Sequence, residues 1–251
     1  MIRILVICFF MISPAFSQPA GIDILSAIDN LQNMGNDIKA RVLLTQKKVD
    51  QGTKITEMNY YRRDKDKSFL IVLTAPEAEK GNGYLRIDDN FWLYRKNTRT
   101  FQHVNRDESI GGSDASGEDF ETRNLTELYK PSTDEKGNEI ISEENLGKIP
   151  VYKIEVKAKI NDVSYPKKFY WVRKDNFLPL KEQGFAGSGT LMNTTYYLNY
   201  TDIEGRYIPI KQLYIDEFEK GNKTIVEISG ISLEALNDVI FTKAYLENLS
   251  K

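Results

Sequence analysis

In the stretch 151–160, VYKIEVKAKI, apolar and charged residues alternate strictly from Tyr152 onward. Side chains alternate across an extended chain, so Tyr152, Ile154, Val156, Ala158 and Ile160 share one face and Lys153, Glu155, Lys157 and Lys159 the other. One dry face and one wet face mark an antiparallel sheet packed on a core along one side. Tyr152, Ile154, Val156 and Ala158 are therefore expected to point inward, because a slip of one residue would expose all four.

Working outward, strand-like runs follow at 168–173, 178–183, 190–202, 207–218 and 223–233. Turn residues at Asp175-Asn176, Glu204-Gly205 and Gly221-Asn222 separate several of them. Upstream, 38–44 alternates Ile38, Ala40, Val42 and Leu44 against Lys39, Arg41 and Leu43. Beyond the Gln51-Gly52 turn comes a more polar run, 54–63. The run 68–74, SFLIVLT, is apolar on both faces, and 83–88 and 91–94 flank Asp89-Asn90, a hairpin signal. Helical spacing is confined to the ends. Ile24, Leu25, Ile28 and Leu31 predict an amphipathic helix over 22–34, stopped by Gly35 and Asn36, and 241–249 predicts a short one. The polar segment 131–145 reads as an exposed loop. About ten short strands joined by tight turns predict a mainly β protein, a single strongly curved antiparallel sheet covered by a few α-helices. With no internal repeat or long linker, no second domain is expected.

Residues 1–17, MIRILVICFFMISPAFS, carry a basic start at Arg3, an apolar run and small residues at Ala15 and Ser17. That is the pattern of a secretory signal peptide cut after Ser17. The apolar run is shorter than the roughly 20 residues a membrane span requires. Cys8 lies inside this run, so a lipoprotein anchor is not expected, and cleavage would leave a mature chain without cysteine. Disulfides, thiolate nucleophiles and Cys-ligated metals are then excluded. The balance of 34 basic and 36 acidic residues argues against a nucleic-acid partner and offers no run of basic residues for an anionic membrane.

The search for catalytic chemistry returns little. The single histidine, His103, sits in TFQHVNRD without a nucleophile or orienting partner in view, and reads as a strand-end surface residue. Ser109 and Ser113 lack a nucleophile-elbow setting. Gly187-Ser188-Gly189 is too short for a phosphate loop. The acidic group Asp107, Glu108, Asp114, Glu118 and Asp119 lacks calcium-loop spacing. It reads as a solvated loop in which Ser116 caps a short helix starting near Glu118. No metal and no cofactor are expected.

Two aromatic groups remain: Phe91, Trp92 and Tyr94, then Tyr165, Phe169, Tyr170 and Trp171, with Tyr196, Tyr197 and Tyr200 beyond. They suit a β core or the wall of an apolar cavity. A large curved sheet with little helix must fold over its helices or enclose a cavity. The large apolar strand residues Leu44, Phe69, Leu73, Trp92, Val156, Phe169, Trp171 and Leu198 are the candidates for lining it.

Between 75 and 120 several pieces fall in a telling order: Pro76, the turn Lys80-Gly81-Asn82-Gly83, the hairpin Asp89-Asn90-Phe91-Trp92-Leu93-Tyr94, Arg99 and Arg106, then Gly112-Ser113-Asp114 with Glu118-Asp119. In this the chain resembles the bacterial outer-membrane lipoprotein-sorting proteins, the LolA-like family. The tail DVIFTKAYL, 238–246, resembles the family's ending. The family has aromatics inside the Gly-Ser-Asp loop where this chain has Ala115 and Gly117. The resemblance implies an incomplete, half β-barrel over 18–251 with an apolar interior. It implies a non-enzymatic periplasmic carrier that holds acyl chains of lipoproteins or lipids and delivers them towards the outer membrane. An inner-membrane transporter and transient membrane contact come with that role. The alternatives are a periplasmic lipid-sensing or regulatory binding module and an envelope hydrolase using Asp114 and Glu118.

Overall fold

The computed structural model describes residues 18–122 and 124–249; the signal segment 1–17, with its cut after Ser17, lies outside them. Helix α1 (Gly21–Gln32) opens the described chain. A first run of strands follows: β1 (Asp37–Lys48), β2 (Gly52–Arg63), β3 (Ser68–Ala75), β4 (Gly83–Ile87), β5 (Asn90–Arg95) and β6 (Thr100–His103). A crossing segment then leads through the short helix α2 (Leu125–Leu128) into β7 (Tyr129–Pro131), β8 (Ile141–Leu146) and β9 (Ile149–Ala158). The chain continues through β10 (Lys167–Arg173), β11 (Pro179–Phe185), β12 (Leu191–Ile203), β13 (Arg206–Asp216) and β14 (Lys223–Ser232), and ends in α3 (Lys243–Leu249).

All fourteen strands form one antiparallel sheet that is not closed into a barrel. Its order is β6-β5-β4-β3-β2-β1-β14-β13-β12-β11-β10-β9-β7, with β8 pairing β9 off this path. Each half is a meander, and the β1–β14 ladder, Val42 opposite Ile228 and Leu44 opposite Val226, joins them. Because β6 and β7 lie at opposite edges, segment 104–128 has to cross one face of the sheet. Here that is called the inner face.

Inner-face packing follows the alternation. Val104, Ile110, Ala115 and Phe120 of the crossing segment bury against Ala40, Val42, Leu44, Met58, Phe69 and Ile71. Over the other half, Ile24, Leu25 and Ile28 of α1 and Leu125 and Leu128 of α2 pack on Ile154, Val156, Tyr170 and Val172. The Asp29 carboxylate accepts from the Leu125 and Thr126 N–H groups at 2.7 and 2.9 Å, so α1 caps α2 with a negative charge at its N-terminus. On the reverse face, Leu70, Val72, Leu85 and Tyr94 are covered by Phe241 and Leu246 from the C-terminal segment. That covering is why β3 is apolar on both sides.

Several expectations shift. Ile154 and Val156 are fully buried and Tyr152 and Ala158 partly, while Lys157 is exposed, as the alternation predicts. Strand β9 ends at Ala158, however, and Ile160 lies exposed beyond it. The β4–β5 turn is Asp88-Asp89, one residue earlier than expected, with Asp88 left-handed at φ 54° and Ile87 paired to Asn90. Segment 131–145 is not simply a loop: it enters β8, whose ISEENL sequence has apolar residues only at its ends. Strand β6 is as short and as exposed, so neither strand shows in the pattern.

Candidate ligand-binding site

The structure splits the eight cavity candidates. Leu44, Phe69 and Leu73 are buried together under the crossing segment, and Val156 is buried under α1. Trp92 lies on the reverse face, its ring 4.2 Å from the Lys243 Nζ. Phe169 and Trp171 also face away from the helices, with ring centres 6.1 Å apart. Leu198 is 52 % exposed.

A narrow recess enters the inner side elsewhere, where the end of α1 meets β1, β2, β13 and β14. Its cavity volume is only about 40 Å³, and it opens to solvent at its mouth. Ile38, Ile208, Pro209, Ile228 and Ile231 supply its apolar wall, with the rings of Tyr60, Phe120 and Tyr214. Its polar members are Gln32, Arg62, Asp119, Glu121 and Gln212. Most of these are already tied: Arg62 Nε lies 2.7 Å from Asp64 Oδ1, and Gln212 Oε1 accepts from the Tyr214 hydroxyl at 3.0 Å. The Tyr60 hydroxyl donates to the Phe120 carbonyl, fastening the crossing segment to the sheet beside the recess. Mainly apolar walls with a few placed polar groups are the usual make-up of a site for a small amphiphile.

The acidic loop is not the solvated loop expected. Ser116 does cap a short turn, Gly117–Asp119, and the Asp119 carboxylate accepts from the Ser116 N–H at 2.8 Å. Yet Glu118 is buried, and its Oε1 lies 2.6 Å from the Nζ of buried Lys168. Lys168 also faces Glu182 at 3.5 Å, whose other oxygen accepts from the Tyr197 hydroxyl at 2.7 Å. Burial alone would raise the Glu118 carboxyl. The Lys168 charge and the hydrogen bonds from Lys168 and Ser164 outweigh it and hold the group at about 2. Asp119, between this cluster and the recess, goes the other way: burial first, then the Glu182 charge, push it up to about 6. Nearby, the Glu121 carboxylate faces two buried guanidiniums, Arg106 at 2.9 Å and Arg86 at 3.3 Å.

His103 is exposed at the end of β6, edge-on to Trp92. Among the described residues, no three His, Cys, Asp or Glu side chains are grouped to hold a metal. None of the described helices is long and apolar enough to cross a membrane.

A family model whose description reads "Uncharacterized protein" matches residues 65–248, most of the chain. The chain belongs to this family. Its fold is that of the LolA superfamily. A LolA superfamily protein from Nitrosomonas europaea superposes with a TM-score of 0.78 at 21% identity, over 91% of this chain and 100% of that one. An outer membrane lipoprotein-sorting protein domain from Vibrio parahaemolyticus gives 0.78 at 17% identity, over 90% and 98%. A DUF1329 family protein from Desulfovibrio piger gives 0.77 at 21% identity, over 90% and 97%. No curated protein matches the chain.

Gly117 sits tightly against the sheet. A Cβ there would lie 2.5 Å from the Phe91 ring.

The recess residues escaped sequence reasoning. Ile208, Ile228 and Ile231 look like any other strand residues. Only the joining of β1 to β14 brings them beside Ile38 and Tyr60. The Glu118–Lys168 pair spans fifty positions and carried no local signal.

Proposed function

We propose that the protein is a periplasmic carrier, exported by its signal segment, which takes an acyl chain of a lipoprotein or lipid into the recess and passes it towards the outer membrane. The observation that carries this reading is the apolar recess at the inner face of an open sheet, with polar groups beside its isoleucine wall. At about 40 Å³ the recess is a starting point rather than a full binding cavity, so loading requires the crossing segment or α1 to move aside; each CH₂ then buried gains about 0.8 kcal/mol. Release needs only a partner that holds the chain more tightly, which is the role of a membrane acceptor, as loading is that of an inner-membrane transporter. No bond is made or broken, so the reading requires no catalytic group. Leu44, Phe69 and Leu73 would join the lining if the crossing segment moved aside for a longer chain, and Val156 if α1 did.

The experiment is lipid extraction from protein purified out of its own envelope, read by mass spectrometry. Acylated species at a fixed ratio to protein, displaced by added fatty acid, are expected. Protein that carries no acyl species and takes none up would overturn the proposal.

A further inference from the structure

The reverse face of β7–β12 brings together lysines that are scattered in the sequence. Lys130 stands directly opposite Lys157, Lys157 opposite Lys167, and Lys167 opposite Phe185. Four residues further along β10, Lys153 stands opposite Trp171, Trp171 opposite Lys181, and Lys181 opposite Tyr196. Between the rows Phe169 is flanked by Glu155 and Gln183. The lysines lie over the rings: Lys181 Nζ is 4.2 Å from the Trp171 centre, Lys167 Nζ 4.8 Å from Phe185, and Lys153 Nζ 5.0 Å from Phe169.

Like charges directly opposite one another destabilise a sheet. Here three lysines stand in one row, with Glu155 of the neighbouring row the one acid between the two rows. Lys153 is answered by Glu144 at 3.5 Å, but Lys130, Lys157, Lys167 and Lys181 form no salt bridge among the described residues. The chain as a whole carries a formal charge of −2, so this face runs against the balance of the molecule. Such an arrangement is relieved by an anionic surface outside it.

We propose that this lysine–aromatic face docks the protein on the headgroup surface of a bilayer containing anionic phospholipid. Four to five strands at about 4.8 Å spacing present a patch some 20 Å wide, which fits an array of headgroups better than one small anion. Tyrosine settles at the headgroup level of membranes, and Tyr196 is partly exposed here, while buried Trp171 forms the floor beneath Lys153 and Lys181; each lysine near an anionic leaflet adds attraction that salt screens. The face is on the other side of the sheet from the recess, so the proposal stands whether or not the recess carries an acyl chain.

The test is cosedimentation of the protein with vesicles of phosphatidylcholine containing phosphatidylglycerol, against vesicles of phosphatidylcholine alone, at low and high salt. Binding only to the anionic vesicles, lost at high salt, is expected. The variant Lys157→Gln/Lys167→Gln/Lys181→Gln should weaken it on the order of a hundredfold, roughly fivefold per lysine. Lys211→Gln, on a lysine already paired to Glu227 at 2.9 Å, should change it little. If the triple variant melts early, the exposed single change Lys157→Gln serves in its place, with the fivefold loss. Failure to sediment with anionic vesicles, as for a face that docks an acidic protein, would overturn the proposal. So would equal binding to phosphatidylcholine, or full binding by the lysine variant.

Discussion

At Gly117 a single methyl group would come within 2.5 Å of the Phe91 ring and 3.0 Å of the Arg106 carbonyl. Gly117→Ala should therefore cost about 1–3 kcal/mol through overpacking, read from denaturant unfolding. Two residues on, Asp119 makes stability depend on pH. Its folded value of about 6 lies above its ordinary one, so its contribution is complete in acid and is lost as pH rises towards 6. Glu118 acts oppositely: held at about 2, it stabilises above its ordinary range and that contribution is lost as pH falls towards 2. Asp119→Asn keeps a side-chain oxygen for the Ser116 N–H but cannot ionise. Compared with the wild type, it should gain in relative stability between about pH 4 and pH 6, with unfolding measured across that range. A constant difference would mean that Asp119 titrates normally. Of these residues the sequence disclosed the Ser116 cap, because capping is local. It hid the burial of Glu118, because the partner Lys168 comes from β10, fifty positions on.

Elements were legible in proportion to how strongly one face is buried. Strand β9 shows plain alternation because Ile154 and Val156 pack under α1 while Lys153 and Lys157 face away. Strand β3, apolar on both sides, announced burial on both, although not that Phe241 and Leu246 cover the reverse side. Strands β6 and β8 bury little, so hydrogen bonding to a neighbour defines them and the pattern is silent. The α1–β9 contact makes a prediction. Val156 is fully buried between helix and sheet, and Val156→Trp should lower the melting temperature by overpacking worth about 1–3 kcal/mol or more. An unchanged melt would show room for an indole beneath α1 and return Val156 to the lining of an open cavity.

At the scale of the whole molecule, two meanders joined through β1 and β14 and bridged by a crossing segment create what neither half contains. The inner face is largely filled by Val104, Ile110, Ala115 and Phe120, and what stays open is the recess beside them. That outcome rests on contacts between residues near 40 and residues near 228, which no local pattern encodes. The same topology gathers the lysines of β7, β9, β10 and β11 on the reverse side. A carrier read this way has a greasy side entrance on one face and a charged contact surface on the other. The most direct test of the entrance is the titration of a fluorescent fatty acid into wild type and Ile231→Trp, with both melts recorded. Ile231 is partly buried in the recess wall, so an indole there should occupy ligand space without overfilling the core. Saturable binding by the wild type, weakened at least about tenfold by Ile231→Trp at an unchanged melt, is the predicted result. No saturable binding by the wild type, or undiminished binding by Ile231→Trp, would contradict the account.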